Sequence, residues 1–207
     1  MMKYDDSNNY YPAFFACAIA VSIAMLWPQV ALAHIESGEA GGFLSGLSHP
    51  VSGLDHIIAM VAVGLWGAQL GKPAIWVLPV TFPMMMAFGG MLGLIGIPLP
   101  GVEVGIALSA VVLGALVLGE VRVSLALSVP IVAFFALFHG HAHGTELQEG
   151  QNAMLYSLGF VISTGLLHAS GIVIGLLHRW QSGRIVLRGA GTLVMVGGLY
   201  FLWQALS

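Results

Sequence analysis

VSLALSVPIVAFFALFHGHAHGTE, residues 123–146, runs without a charged side chain until its last residue, Glu146. From Val123 to His141 it matches the roughly 17–25 apolar residues that an α-helix needs to cross a hydrocarbon layer. Such a stretch reads as a membrane span, and the chain on either side repeats it. The 207 residues are 58% hydrophobic and only 7% charged, with 28 glycines and a mean hydropathy of +0.93. This is membrane-protein composition and argues against a soluble domain with a large core. Six spans are expected, at about 50–70, 74–95, 102–120, 123–141, 152–178 and 184–206, separated by Gly, Pro or charged residues. The expected fold is therefore all-α: a polytopic membrane helix bundle in one domain, residues 34–207.

The first apolar stretch, Pro12 to Ala33, differs because it ends in Ala31-Leu32-Ala33, a small-x-small pattern that signal peptidase accepts. Residues 1–33 are read as a signal peptide cleaved after Ala33, which makes His34 the mature N-terminus. Its n-region is poorly basic, since Lys3 and the amino group face Asp5 and Asp6. The one cysteine, Cys17, lies inside this segment, so the mature chain has no disulfide and no thiolate metal site.

Beyond residue 33 the basic side chains are Lys72, Arg122, Arg179, Arg184 and Arg188, all at the first, third and fifth connections. The positive-inside rule makes that side cytoplasmic. The mature N-terminus, the 96–101 and 142–151 loops and the C-terminus are then outside, and keeping the first stretch as a helix leaves the orientation unchanged.

Topology in turn locates the histidines. Pro50 suits a first helical turn, where its missing N–H would be unpaired anyway, so His49 stands at the outer mouth of the first span. Asp55 and His56 follow roughly 8–11 Å further in, at 1.5 Å per residue. Spacings of seven and four put His49, His56 and Met60 on one face, with Asp55 about 100° from His56. The fourth span runs outward and brings His139 just inside the outer surface. If helicity persists through Gly140 and Gly144, then His139, His143 and Glu146 align at intervals of four and three. Glu103 opens the third span on the same side.

Ionisable groups in apolar surroundings are expensive, roughly 2.5–3.5 kcal/mol for a charge at mid-bilayer, and require a partner or a task. Three carboxylates and several imidazoles gathered at one depth carry too much potential charge for packing residues. Imidazole and carboxylate without thiolate suit borderline divalent ions such as nickel, cobalt and zinc, and spacing does not choose among them. His168 and His178 read differently, as hydrogen-bonding residues of helix interfaces, His178 beside Arg179 at the inner boundary. Met84-Met85-Met86 are read as apolar filler, because three consecutive residues point in different directions on a helix. Pro79 and Pro83 within the second span remove backbone hydrogen bonds. Phe82 between them lies near mid-membrane, where packing is the plainer role for an aromatic. The runs Gly89-Gly90 with Gly93, and Gly197-Gly198, suit close helix contact. Gly71-Lys72-Pro73 lacks the features of a phosphate loop, no internal repeat is convincing, and no nucleic-acid partner is expected.

The pattern His-Pro-x-x-Gly-x-Asp-His with Met and Val-Gly following, His49 to Gly64, and Phe-His-Gly-x-Ala-His-Gly-x-Glu, Phe138 to Glu146, resemble the motifs of the HupE/UreJ family of hydrogenase and urease accessory membrane proteins. The resemblance extends to the histidine after the leader, the Leu-Pro-x-Val-Glu run ending at Glu103, and the six-span layout. It implies a secondary permease of the bacterial cytoplasmic membrane that imports nickel, with cobalt in some members, for nickel-enzyme maturation. It points to His49, Asp55 and His56, to Phe82, to Glu103, and to His143 with Glu146. His139 belongs to the motif, whereas His141 fills its variable position and takes no role.

The functional expectation is an importer rather than an enzyme, with no prosthetic group and the divalent ion as substrate. Its outer vestibule would comprise His34, Glu36, Glu39, His49, Glu103, His143 and Glu146, with Asp55 and His56 deeper, His139 a further candidate ligand from the second motif, and Phe82 marking the constriction. Acidification would weaken capture by protonating the imidazoles. With no ATP motif, inward movement would draw on a gradient, a cytoplasmic sink or the membrane potential, which supplies roughly 2.3 kcal/mol per charge per 100 mV. Partners would be the metal ion and the lipid bilayer, further copies of the chain, and cytoplasmic metallochaperones indirectly. The alternative is a membrane-embedded zinc metallohydrolase, marked by a closed three-ligand centre beside an open lipid cleft. A haem protein is the weaker rival, because clustered carboxylates are poor haem company.

Overall fold

The computed structural model describes residues 39–146 and 152–207. The expected leader, its cleavage after Ala33, His34 and Glu36 lie outside the described residues. Those described are helical, with no strand among them. Helix α1, Glu39–Ser48, leads through a 3₁₀ turn at His49–Val51 into α2, Leu54–Leu70. There follow α3, Ala74–Leu94; α4, Val102–Leu118; α5, Leu125–Glu146; α6, Ala153–Gly175, with a 3₁₀ extension Leu176–Arg179; and α7, Gln181–Leu206.

Four of these helices are long and apolar enough to cross a membrane: α3, α5, α6 with its extension, and α7. A fifth results if Gly42–Val51 and Leu54–Leu70, bent by 77° at their break, count as one span. Helix α4 has 17 residues, about 26 Å at 1.5 Å per residue, slightly short of a hydrocarbon layer about 30 Å thick.

The 77° break corrects the expected start of the first span. Proline at residue 50 has no N–H to donate back into α1, so α1 stops at Ser48 and Pro50 occupies a 3₁₀ turn. The Ser52 amide and hydroxyl both donate to the His49 carbonyl, at 3.0 and 2.7 Å, and close that turn. Gly53, in extended conformation, then caps α2. His49 and His56 consequently do not share a helical face, and helical rise does not measure the depth between them.

Close helix contacts set the remaining geometry. Along α3 and α5, Cβ atoms added at Gly89 and Gly93 would strike the Leu137 and His141 carbonyls, and at Gly140 and Gly144 the backbone of Met86 and Gly90. Helix backbones this near are the small-residue packing expected of membrane helices. The same contact explains why α5 continues through two glycines to Glu146: both are wedged against α3. Helices α2 and α6 meet similarly at Gly64 and Gly171, α4 and α7 at Gly114, Gly191 and Gly198, and α1 and α6 at Gly46 and Gly159. Helix α3 remains one helix through Pro79 and Pro83. Of its methionines, Met86 is buried and Met84 exposed, as filler pointing different ways requires.

The ends of the bundle differ in chemistry. Lys72, Arg122 and Arg179 lie at connections on one end, where the Trp66 indole donates to Val121 and the Gln69 amide to Val117. Arg188, near the start of α7, pairs there with Glu120 at 3.1 Å. The N-termini of α2 and α6 and the C-terminus of α5 form the opposite end, and the histidine motifs lie on these elements.

Candidate metal-binding site

At that opposite end three ligand-bearing side chains converge. His143 Nδ1 lies 2.9 Å from His49 Nε2, which is 3.2 Å from Glu146 Oε2, and His143 Nδ1 is 3.7 Å from the same oxygen. Nitrogen and oxygen ligands about 2.1 Å from a first-row ion stand about 3.0 Å apart at a right angle and about 3.4 Å apart at a tetrahedral angle. The observed separations bracket those values, so little movement is needed for the trio to share one divalent ion. Periodicity explains half of it, since His143 and Glu146 are neighbours on α5. His49 arrives from the 3₁₀ turn, which the break with α2 frees to face α5.

The trio is open on one side and walled on the other. Side-chain exposure is 55% at Glu146 and 29% at His49, but only 7% at His143. Helix α6 supplies the wall: Phe160 lies 4.6 Å from the His143 ring and 6.1 Å from His49, and Tyr156 lies 5.9 Å from His49. Asn152 caps this helix by accepting from the amides of Met154 and Leu155. An apolar groove of about 180 Å³ between α3, α5 and α6 reaches the cluster past Met86, Gly140 and Tyr156.

From the trio a file of rings leads inward. His143 has a second nitrogen, Nε2, buried without a partner, and the His56 ring is 4.5 Å away. Asp55 Oδ1 accepts both from the His56 backbone amide and from His56 Nδ1, each at 2.9 Å. The hydrogen is thereby held on Nδ1, and His56 Nε2, buried and unpartnered, carries the lone pair. A carboxylate behind an imidazole in this way orients the ring and raises its basicity toward a metal. Gly53 makes room, because a Cβ there would crowd Asp55 Oδ1 and His56 Nδ1.

His139 is next, 4.8 Å from the His56 ring and fully buried. Its Nε2 is 2.9 Å from the Ser109 hydroxyl, which lies 2.6 Å from the Ile106 carbonyl. The single hydroxyl hydrogen goes to the carbonyl, so Ser109 accepts from His139 Nε2–H. Nδ1 is left with a bare lone pair and no partner. The Phe82 ring, also fully buried, is 5.4 Å from His139 and closes the file.

Residues 21–201 match the family described as HupE / UreJ protein. The chain belongs to the HupE/UreJ family. It is 46% identical over 179 residues to Protein HupE of Rhizobium leguminosarum bv. viciae, an alignment covering 86% of this chain and 93% of that protein. No solved structure matches.

Within this family member the structure brings together His49, His143 and Glu146, then His56 with Asp55, then His139 and Phe82. Glu103 opens α4 but is exposed and stands outside the three-residue group. His141 Nε2 lies 2.8 Å from the Ile97 carbonyl, tying α5 to the loop after α3. His178 Nδ1 pairs with the Gly175 carbonyl three residues back on its own helix, a hydrogen bond that does not cross an interface. His168 departs from that expectation: it is 1% exposed, and neither ring nitrogen has a hydrogen-bond partner. Sequence reading also passed over Ser109, Tyr156 and Phe160. Ser109 did carry a signal, being the one polar side chain in the apolar run from Val104 to Leu118.

Proposed function

We propose that this HupE/UreJ member is a secondary permease that imports nickel, with cobalt as a second cargo, across the bacterial cytoplasmic membrane for the maturation of nickel enzymes. The observation that carries this reading is the continuity of the file. An accessible trio of His49, His143 and Glu146 leads, through rings no more than 4.8 Å apart, to His56 with Asp55 and on to His139. A resident metal centre needs one closed set of ligands, whereas a path needs successive sets, each able to release to the next.

In this reading all six spans cross the membrane, α1 and α2 together forming the first and α4 the short third. The basic end is cytoplasmic by the positive-inside rule, and the mature N- and C-termini are outside. The trio captures the ion, with Glu103, Glu39 and, after cleavage behind Ala33, His34 and Glu36 raising the local cation concentration. Asp55 and His56 receive the ion, His139 holds it next, and Phe82 marks the constriction. Neutral imidazoles favour nickel, cobalt and zinc over magnesium or calcium, which prefer oxygen. The electrical gradient drives inward movement, each charge gaining roughly 2.3 kcal/mol per 100 mV.

A membrane zinc hydrolase is the second reading, favoured by the groove that reaches the trio. Its centre would need three ligands about the zinc, a fourth position open to water, and a separate free carboxylate as base. Here Glu146 is half exposed and sits among the ligands, while Asp55 is engaged by His56. Uptake of radiolabelled nickel by cells making equal amounts of the wild type, Asp55→Ala or His143→Ala decides the matter. Both variants are expected to lose uptake, and full uptake by both would overturn the permease reading.

A further inference from the structure

Helix α6 presents one buried stripe at intervals of four: Tyr156, Phe160, Thr164 and His168. The first two wall the outer trio. The last is eight residues beyond Phe160, about 12 Å deeper along the helix, whereas His139 is four residues, about 6 Å, beyond His143 on α5. His168 thus lies deeper than the last ring of the file. Phe82 joins the two, its ring 5.4 Å from His139 and 5.4 Å from His168.

The surroundings of His168 do not explain a histidine. Both ring nitrogens lack partners, and so does the Thr164 hydroxyl one turn away on the same face, although that side chain is completely buried. Unsatisfied buried polar groups are destabilising, so an apolar residue of similar size would make the more stable helix interface. The α6 backbone is locked at this level, where the His168 carbonyl faces Gly64 of α2. The side chain is therefore held in place with its ligand atoms uncommitted. Each outer imidazole is committed on one side, His56 to Asp55 and His139 to Ser109; His168 is committed on neither.

We propose that His168, with the Thr164 hydroxyl beside it, is a metal-binding station on the inner side of Phe82, which takes the divalent ion from His139 as the phenyl ring turns aside. This rests on the permease reading, and it makes Phe82 a divider between two binding stations rather than the end of the path. An imidazole and a hydroxyl hold a borderline divalent ion loosely, as suits a station that must release inward.

The test uses the full chain with His168→Leu and His168→Asn. Uptake of radiolabelled nickel is measured per molecule in cells, and equilibrium nickel binding on the purified detergent-solubilised proteins. His168→Leu is expected to bind nickel within about twofold of wild type yet lose about tenfold or more of its uptake, the range seen when metal-site residues are removed. His168→Asn, which keeps a ligand oxygen, is expected to retain more uptake than His168→Leu. A packing role predicts the reverse order, because leucine relieves the unpaired polar atoms. Leucine uptake equal to wild type, leucine above asparagine, or loss of equilibrium binding together with uptake each overturns the proposal. Wild-type cells that accumulate no more nickel than vector controls sink the permease reading itself.

Discussion

The Ser109 hydroxyl sets the tautomer of His139. Because Ser109 gives its one hydrogen to the Ile106 carbonyl, it can only accept from His139 Nε2–H, and the histidine is left with a bare Nδ1. A serine on α4 thus decides which nitrogen a histidine on α5 leaves free. Ser109→Ala is expected to strand the Nε2–H in the bundle core and let the ring turn. Uptake of nickel should fall by about tenfold or more, the usual scale for losing a residue that orients a ligand. Equilibrium binding at the outer trio should hold, and filter-binding on the purified protein beside cell uptake separates the two.

The outer carboxylates are expected to act in different ways. Glu146 is 3.2 Å from His49 Nε2 and belongs to the outer trio, so in the permease reading Glu146→Gln should weaken equilibrium nickel binding by about tenfold. Glu103 is exposed and outside the trio. In the permease reading its contribution would be the field it adds at the entrance, which salt screens over about 8–10 Å. Glu103→Gln should therefore lower uptake at low nickel concentration, with a loss that shrinks as salt is added. Titration calorimetry and uptake at two ionic strengths check both.

Position decides what a glycine substitution does here. A Cβ at Gly140 would run into the Met86 backbone, whereas one at Gly165 meets nothing within 4 Å. Gly140→Ala is expected to force α3 and α5 apart, lowering stability by about 1–3 kcal/mol and moving Phe82 relative to His139. Gly165→Ala should be neutral, or stabilising by up to about 1 kcal/mol through the unfolded chain. Thermal unfolding in detergent together with uptake distinguishes them: Gly140→Ala loses both, Gly165→Ala neither.

Much of this was legible in the sequence because it is periodic or local. Spans without charge gave the helices, and spacings of four and three gave His139, His143 and Glu146 a common face once α5 ran through its glycines. The first motif was harder. Pro50 satisfies the rules for the first turn of an α-helix and of a 3₁₀ turn equally, and only packing of α1 against α6 decides that the chain bends there. The seven-residue spacing of His49 and His56 therefore suggested a shared face that does not exist; the two rings are linked through His143 instead. Ser109 went unnoticed, and His168 was read as hydrogen-bonded, for another reason. What a lone polar residue in an apolar helix does depends on its neighbour across the interface, which its own helix does not encode.

The basic side chains at the far end of the bundle have a final consequence, one of charge balance. With neutral imidazoles, the file from Glu146 to Phe82 carries the negative charges of Glu146 and Asp55, and among the described residues no Lys or Arg pairs with either. One divalent ion makes it electrically neutral. Two such ions about 6 Å apart at an effective dielectric near 20 would repel by roughly 11 kcal/mol. Metal analysis of the purified chain is accordingly expected to find one nickel per molecule.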